Sequence, residues 1–272
     1  MLSDVVPTRA PRRITSRHNP NIARYREVAR GQAPDHLLLD GPHLIGDALA
    51  AGLPLESVAV LSSALDRPEI RALTARIEKA GADIVATTPQ VMAVVSPVRS
   101  ASAIVALARR PPADASRLYA GAAPFVVIAA DIQDPGNLGA IIRAAEAGRA
   151  TSVVAAGACA DPLGWKALRG SSGSSLRLPI GASATAATAV ADARRHGCRA
   201  IATVPRGGRP LYDIDLRGAV AVLIGGEGPG LDPAIIEQAD ETLTIPMRAP
   251  VESLNAAVAA AIVVYEALRQ RR

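Results

Sequence analysis

The sequence predicts a two-domain α/β protein whose larger, C-terminal domain is built on a parallel β-sheet. Short apolar runs of strand length alternate with longer helical segments along most of the 272 residues, as in layered α/β folds. Hydrophobic residues make up 49% of the chain but aromatic residues only 2%, a composition that suits helices packed closely on such a sheet. A Pro-rich polar stretch within residues 109–121 separates the two units and predicts a linker.

Residues 1–13 show no hydrophobic periodicity and are predicted to form a flexible basic arm. Residues 14–108 are predicted to form the smaller α/β domain, with Pro42 at a helix start and a helix that ends at Gly81. Its predicted elements, in chain order, are helix 22–30, strand 36–39, helix 42–51, strand 58–61, helix 68–80, strand 84–86 and strand 104–107.

Residues 122–272 are predicted to form the C-terminal domain. It begins with a continuous apolar run at 124–130, which is typical of a strand buried on both faces. Ser183 is a suitable N-cap for a later helix. The predicted elements that follow are helix 137–148, strand 152–155, helix 163–169, strand 176–180, helix 183–196, strand 199–204, strand 220–224, a helix from 232, strand 242–245 and helix 253–268.

The net charge of +5 is carried almost entirely by arginine, because Lys79 and Lys166 are the only lysines. The planar guanidinium suits phosphate, so a polyanionic partner such as nucleic acid is one explanation. A preference for arginine codons explains the shortage of lysine equally well. Composition alone does not choose between the two.

Several classes of protein are disfavoured by simple counts. Cys159 and Cys198 are too few and too far apart for a disulfide framework or a CxxC zinc site, and the four histidines have no metal-ligand spacing. We therefore expect no metal. The chain shows no apolar N-terminal signal segment, and its longest apolar run, 256–264, is too short to span a bilayer. The expectation is a soluble cytoplasmic protein.

Three loops at the predicted carboxyl edge of the sheet, where ligands bind in α/β folds, are the most informative segments. The first, DPGNLGAIIR at residues 134–143, opens a helix. Asn137 is well placed to cap that helix and to present an amide beside it. Arg143 lies in an otherwise apolar stretch, where a buried unpaired arginine is costly, so we expect it to face an anion or a cleft. A plain cap and a solvated surface arginine are the alternatives.

The second loop, LIGGEGPGL at residues 223–231, places Glu227 among glycines that would let a flat adenine and ribose approach the backbone. It differs from a dinucleotide-binding fingerprint, because it comes late in the chain and its helix begins only after Leu231. It also lacks an acidic residue at a strand end about 20 positions on. A plain surface turn is the alternative.

The third segment consists of IPM at 245–247 and ESLN at 252–255. Ser253 is predicted to cap the last helix. Asn255 begins a stretch that is apolar all round and therefore buried, so its amide needs a partner. The many alanines of this helix also suit close packing against another helix, which suggests a dimer interface.

Together, and in this order, the three segments resemble the motifs of the SpoU/TrmH family, the RNA ribose 2′-O-methyltransferases of the knotted SPOUT superfamily. The resemblance implies a deep trefoil knot in the C-terminal domain, bound S-adenosyl-L-methionine, and a homodimer formed through that domain. It implies that the cofactor is held at Gly225, Glu227, Ile245 and Leu254. It assigns catalytic roles to Asn137, Arg143, Glu227, Ser253 and Asn255.

The N-terminal domain is similar to the RNA-docking α/β domain of many family members, through SRHNP at 16–20 and LLLDG at 37–41. Asp40 stands where the family more often has glutamate, and segment 98–103 lacks the Pro-Gln-Gly signature, which leaves the target RNA open. KALRGSSGS at 166–174 is similar to the loop that approaches the target ribose. The residues expected to contact RNA are Arg12, Arg13, Arg17, Lys166, Arg169 and Ser171.

The resemblance predicts methylation of a ribose 2′-OH, with 23S ribosomal RNA as the first choice and tRNA as the second. The family counterpart of Arg143 is proposed as the base. Since arginine normally stays protonated, we favour Arg143 as a clamp on phosphate and ribose, with the proton leaving late to water or through Asn137, Ser253 and Glu227. Two other classes stay open: a nucleotide-dependent oxidoreductase, which needs an early fingerprint, and a non-catalytic RNA-binding module.

Overall fold

The computed structural model describes residues 11–272, which form two compact units. The first unit ends at Arg110 and the second spans Pro111–Arg272. The division between them lies inside the segment 109–121 that the sequence assigns to a linker. Each unit has its own β-sheet and its own helices.

The first unit contains a five-stranded mixed sheet. Its elements are β1 (Arg12–Ile14), α1 (Pro20–Ala29), β2 (His36–Asp40), α2 (Pro42–Ala50), β3 (Leu55–Leu61), α3 (Pro68–Lys79), β4 (Asp83–Thr87), α4 (Pro89–Val95) and β5 (Ile104–Arg109). The strand order is β1-β4-β3-β5-β2. Strand β4 is parallel to β1 and β3, whereas β5 is antiparallel to β3 and β2.

Strand β1 corrects the predicted flexible arm. Arg12 and Arg13 belong to this strand, which pairs in parallel with β4, and Ile14 is buried in the core. The arm prediction is therefore wrong for residues 12 and 13, because their backbone joins a sheet and the next side chain is buried. Residues 1–10 of the predicted arm lie outside the described residues.

Helix α4 has no counterpart among the elements predicted from the sequence. Its start has two recognisable signals, since Pro89 occupies its first turn and the Thr88 side chain accepts a hydrogen bond from the N–H of Val91 at 3.4 Å. The helix has only seven residues, which is too short for a helical repeat to stand out in the sequence.

The second unit contains a seven-stranded sheet in which every pair of neighbouring strands is parallel. Its elements are β6 (Phe125–Ala130), α5 (Pro135–Ala147), β7 (Ser152–Ala156), α6 (Trp165–Gly170), α7 (Ser174–Arg177), β8 (Ile180–Ser183), α8 (Ala186–Arg195), β9 (Arg199–Thr203), β10 (Arg209–Pro210), β11 (Val220–Gly225), α9 (Pro233–Gln238), β12 (Glu241–Thr244) and α10 (Ala256–Gln270). The strand order is β10-β12-β9-β11-β6-β7-β8. The predicted α/β class with a parallel sheet is confirmed.

One stretch of this unit differs from the prediction. The strand predicted at 176–180 is wrong, because helix α7 occupies its first part and β8 begins only at its end. Ser183 consequently lies in β8, and Thr185 caps α8 in its place, with its hydroxyl accepting from the N–H of Thr188 at 3.1 Å. A short apolar run fits a helix or a strand, so the local pattern does not distinguish them.

Strand β6 is buried on both faces, and alternate side chains pack against different helices. Phe125 and Val127 belong to a core cluster with α5 and α10, whereas Val126 and Ile128 belong to a second cluster with α8. Complete burial of such a side chain stabilises the fold by about 1.5–3 kcal/mol. The loop that follows β6 therefore starts from a firmly held strand.

Parallel pairing brings the three predicted motif loops to one edge of the sheet. Strand β11 lies between β6 and β9, and β12 lies on the other side of β9. Because these strands run in the same direction, the loops after β6, β11 and β12 all leave from the carboxyl edge.

None of the helices in the described part of the chain is long and apolar enough to cross a membrane.

Candidate active site

Three side chains from the three loops form one hydrogen-bonded cluster. The amide nitrogen of Asn137 donates to Oε1 of Glu227. The amide nitrogen of Asn255 donates to Oδ1 of Asn137 at 3.1 Å and to the same Glu227 oxygen at 3.2 Å. One carboxylate thus accepts from two amides, and the two amides are linked to each other.

Helix capping leaves these amides free for the cluster. Asp134 is the N-cap of α5, and its carboxylate accepts from the N–H of Asn137 at 2.8 Å, so the expectation that Asn137 caps this helix is wrong. Asn255 caps α10, because its side-chain oxygen accepts from the N–H groups of Ala257 and Val258. The expected cap at Ser253 is therefore also wrong, since α10 starts two residues later than a Ser253 cap requires.

A cavity of about 420 Å³ opens beside the cluster. Its walls include the four predicted cofactor residues, Gly225, Glu227, Ile245 and Leu254, together with Ser253 and Asn255. The volume lies in the range of about 300–1,000 Å³ that is usual for small-molecule and cofactor sites. Backbone of the glycine-rich loop forms one wall and apolar side chains form much of the rest, which fits a nucleoside with a flat base and a polar ribose.

One wall of this cavity is not predicted from the sequence. Thr203, Val204 and Pro205 line it from the end of β9. Their signal is weak in the sequence, because they form no motif. Their position follows from the strand order, which places β9 directly beside β11. Thr203 also ties the two strands together by donating to the carbonyl of Leu223 at 2.8 Å.

Close backbone packing explains two of the glycines in the second loop. A Cβ atom on Gly226 would lie 2.3 Å from the carbonyl oxygen of Asp131, and one on Gly225 would lie 2.6 Å from the backbone of Gly230. Asp131 itself has a φ of 55°, and its carboxylate accepts from the N–H of Ala158 at 2.7 Å. The loop after β11 therefore lies directly on the loop after β6.

Arg143 stands apart from the cluster. It lies on α5 and is exposed, while the neighbouring Ile141 and Ile142 are fully buried. Within residues 11–272 its guanidinium makes no hydrogen bond or ion pair, which leaves it available for an anion. Arg143 therefore does not occupy the buried position in which an unpaired arginine would be costly.

The residues expected to contact RNA fall into two groups. Arg12, Arg13 and Arg17 are exposed on the first unit, and Lys166 and Arg169 are exposed on α6 of the second. Ser171 is different, because it is fully buried. Its hydroxyl donates to the carbonyl of Leu168 at 3.0 Å and is also hydrogen-bonded to Ser175. The prediction that Ser171 contacts RNA is therefore wrong for this structure, in which the serine holds the turn between α6 and α7.

Helix α6 is held tightly against α5. A Cβ atom on Gly139 would lie 2.6 Å from the carbonyl oxygen of Ala167, and one on Gly170 would lie 3.2 Å from that of Gly136. The Arg177 guanidinium also binds both carboxylate oxygens of Glu146, at 2.8 and 2.9 Å, which joins α7 to α5. The segment after β7 is thereby placed beside the residues around Asn137.

No group of three His, Cys, Asp or Glu side chains within residues 11–272 is arranged to hold a metal ion. Burial raises the pKa of the Cys159 thiol, whose sulfur also contacts the carbonyls of Ala129 and Ala156. A thiol with a raised pKa is a weaker source of thiolate, so Cys159 is not suited to act as a nucleophile.

Comparison with known proteins agrees with this geometry. Residues 124–265, just over half of the chain, match the SpoU rRNA Methylase family. An uncharacterized tRNA/rRNA methyltransferase of Synechocystis sp. is 31% identical over 95% of this chain and 94% of its own length. The 23S rRNA (guanosine(2553)-2′-O)-methyltransferase RlmP of Bacillus subtilis is 31% identical over 84% of this chain and 86% of its own.

Solved structures extend the likeness to the fold of nearly the whole chain. The crystal structure of an RNA 2′-O ribose methyltransferase has a TM-score of 0.83 and 30% identity, covering 95% of this chain and 99% of the other. The SpoU methyltransferase AviRb of Streptomyces viridochromogenes, in complex with the cofactor AdoMet, has a TM-score of 0.84 and 27% identity, covering 93% and 98%. The three motif loops meet at one edge of the sheet, two of them line one cavity, and the family match covers most of the second unit. The chain therefore belongs to the SpoU/TrmH family of RNA methyltransferases.

Proposed function

We propose that this protein transfers a methyl group from S-adenosyl-L-methionine to a ribose 2′-OH of RNA, with 23S ribosomal RNA as the substrate. The observation that carries the proposal is the cluster of Asn137, Glu227 and Asn255 at the wall of a nucleoside-sized cavity. Relatives named as 23S rRNA 2′-O-methyltransferases support the choice of RNA. Transfer RNA is the second candidate, because one relative is named for both RNAs.

The cavity residues hold the methyl donor. Gly225 and Glu227 contribute backbone from the glycine-rich loop, and Ile245 and Leu254 contribute the wall on the other side. When bound, S-adenosyl-L-methionine supplies an electrophilic methyl group on a sulfonium. A bulky side chain at Gly225 would collide with the loop itself, so the loop keeps its backbone next to the ligand.

The polar residues orient the ribose 2′-OH that accepts the methyl group, and they provide a route for its proton to leave. Glu227 accepts hydrogen bonds from both amides, so Asn137 and Asn255 have fixed orientations before RNA arrives. Arg143, exposed and without a partner in the described chain, clamps a substrate phosphate and the target ribose. Holding the 2′-OH in line with the methyl group supplies much of the rate enhancement. The proton leaves late, to water or through the cluster with Ser253.

The finer architecture follows the family. A deep trefoil knot in the second unit is supported by the match to the SpoU family and by the likeness of the whole fold to an RNA 2′-O ribose methyltransferase. A homodimer is supported by exposed apolar side chains on α10, where Val258 is 48% and Tyr265 is 54% exposed. The N-terminal unit docks RNA. A cytoplasmic location stays a prediction.

Transfer of tritiated methyl from S-adenosyl-L-methionine to separated RNAs from a strain that lacks the gene tests the proposal. Label in 23S RNA at one 2′-O position, lost with Arg143→Ala, is the expected result. Label in tRNA alone would show that tRNA, and not 23S ribosomal RNA, is the substrate. RNA binding and cofactor binding without any label, in free RNA or in ribosomal precursor particles, would favour a non-catalytic RNA-binding module instead.

A further inference from the structure

The only tryptophan of the chain, Trp165, begins helix α6 in the segment that follows β7. Its indole is partly exposed, in a chain that has only six aromatic residues. The ammonium of Lys166 lies over one face of the indole ring, 5.5 Å from its centroid, so the opposite face is the one on which a base can stack. Arg169, one helical turn further on, is exposed and lies on the same side of the helix as Trp165. An aromatic surface is thus flanked by two cations.

This surface lies close to the methyl-transfer site. The last residue of α6, Gly170, abuts Gly136, which directly precedes Asn137. From Gly170 back to Trp165 the helix rises by about 7.5 Å, at 1.5 Å per residue. An RNA strand whose ribose reaches Asn137 therefore passes within reach of the indole.

Proteins that bind unpaired RNA combine these two features. Unstacked bases stack on aromatic side chains, while arginine and lysine hold the neighbouring phosphates. A tryptophan that served only to fill the core would have no reason to remain partly exposed beside two cations. We propose that Trp165 stacks on an unpaired base of the RNA substrate next to the methylated ribose, while Lys166 and Arg169 contact the flanking phosphates. The proposal rests on the proposed RNA methyl transfer and adds to it a base-binding site.

Intrinsic fluorescence provides a direct test, because emission from the indole reports on residue 165 alone. The full-length protein is titrated with short single-stranded oligo-adenosine RNA, and binding is followed in parallel by the anisotropy of the same RNA carrying a label. We expect the indole emission to be quenched in step with binding. Inorganic polyphosphate, which has charge but no bases, should leave most of the emission unchanged. Equal quenching by polyphosphate, or RNA binding without quenching, would overturn the proposal.

Variants test the same contact without fluorescence. Trp165→Ala should weaken RNA binding by roughly 5- to 150-fold, the range that corresponds to losing one stacked base. It should raise KM for RNA more than it lowers kcat, and Trp165→Phe should recover most of the affinity. Tyr212→Ala is the matched control, since it removes a 63%-exposed aromatic side chain just after β10, at the other end of the sheet. Calorimetric binding of S-adenosyl-L-methionine to each variant verifies the fold.

The two proposals fail in different ways. Quenching by RNA and weaker binding by Trp165→Ala, in a protein that transfers no methyl group, would keep the stacking site and reject the proposed function. Methyl transfer with an unchanged RNA affinity and KM in Trp165→Ala would keep the function and reject the stacking site.

Discussion

The side-chain amide of Asn255 donates to Oδ1 of Asn137 across 3.1 Å, although 118 residues separate the two in sequence. The same nitrogen reaches Glu227 at 3.2 Å, while the side-chain oxygen of Asn255 caps α10. One side chain therefore joins the start of α10, the start of α5 and the glycine-rich loop. Its two halves have separable tasks, helix capping by the oxygen and cluster formation by the nitrogen.

Replacing the nitrogen alone should impair catalysis while sparing the fold. Asn255→Asp keeps an oxygen for the N–H of Ala257 but sets a second carboxylate beside Glu227. The two carboxylates then repel each other, and the hydrogen bond from residue 255 to Glu227 is lost. We expect methyl transfer to fall roughly 100-fold, as for a small misplacement of reacting groups, with little change in the melting temperature. Asn255→Ala also loses the cap and should cost about 1 kcal/mol of stability. A normal single-turnover rate in Asn255→Asp would contradict the assigned role.

Arg143 should matter for turnover through the shape of its guanidinium as well as its charge. Arg143→Ala is expected to lower kcat/KM for RNA by two orders of magnitude or more, about 3 kcal/mol, and Arg143→Lys should restore little because the planar fork is lost. Arg195→Ala, which removes a 70%-exposed arginine from α8, is the control and should stay within about twofold of wild type. Near-normal kinetics in Arg143→Lys would argue against the clamp.

The contact between the loops after β6 and β11 should be sensitive to a single methyl group. Gly226→Ala would place a Cβ atom 2.3 Å from the carbonyl oxygen of Asp131, so one of the loops must move. We expect a loss of about 1–3 kcal/mol in the free energy of unfolding and much weaker stabilisation by S-adenosyl-L-methionine in thermal melts. Gly218→Ala, where a Cβ meets no atom within 4 Å, should be neutral or slightly stabilising. Equal behaviour of the two variants would count against this packing.

The link between α5 and α7 should make stability depend on pH in the acid range. Hydrogen bonding from Arg177 lowers the pKa of Glu146 below its ordinary 4.5, against the opposing effect of burial. A depressed pKa stabilises the folded state at pH values above 4.5, and this contribution is lost as the pH falls through the folded-state pKa. In urea unfolding, wild type should therefore exceed Glu146→Gln in stability near neutral pH. The two curves should converge below 4.5, and a difference independent of pH would refute the assignment.

The proposed homodimer makes a separate prediction. Val258 and Tyr265 lie seven residues apart on α10, so they share one face of that helix, and both are about half exposed. Val258→Asp should give a monomer by light scattering, because a buried unpaired carboxylate is costly in an interface. Ala191→Asp, a similar change at an exposed position of α8, which packs in a different core cluster from α10, should remain a dimer. A wild-type protein that is monomeric at all concentrations would reject the dimer outright.

Local chemistry of the chain was enough to predict the α/β class and the three loops that carry the candidate site. A continuous apolar run such as 124–130 predicts a strand buried on both faces, and the glycines that follow such runs predict loops at the carboxyl edge. Those signals depend on residues that are neighbours in sequence. Short elements gave weaker signals, which is why α4 and β1 were not predicted and α7 was assigned to a strand.

Partnerships between distant residues depended on the strand order, which no local pattern contains. Placing β11 beside β6 brings Glu227 to Asn137, and packing α10 on α5 brings Asn255 to both. Ser171 also depends on the tertiary structure. Its polar sequence neighbours predict an exposed side chain, but the packing of α6 and α7 against α5 buries it. Burial and hydrogen bonding are properties of contacts made across the folded chain, and these contacts exist only after the sheet has assembled.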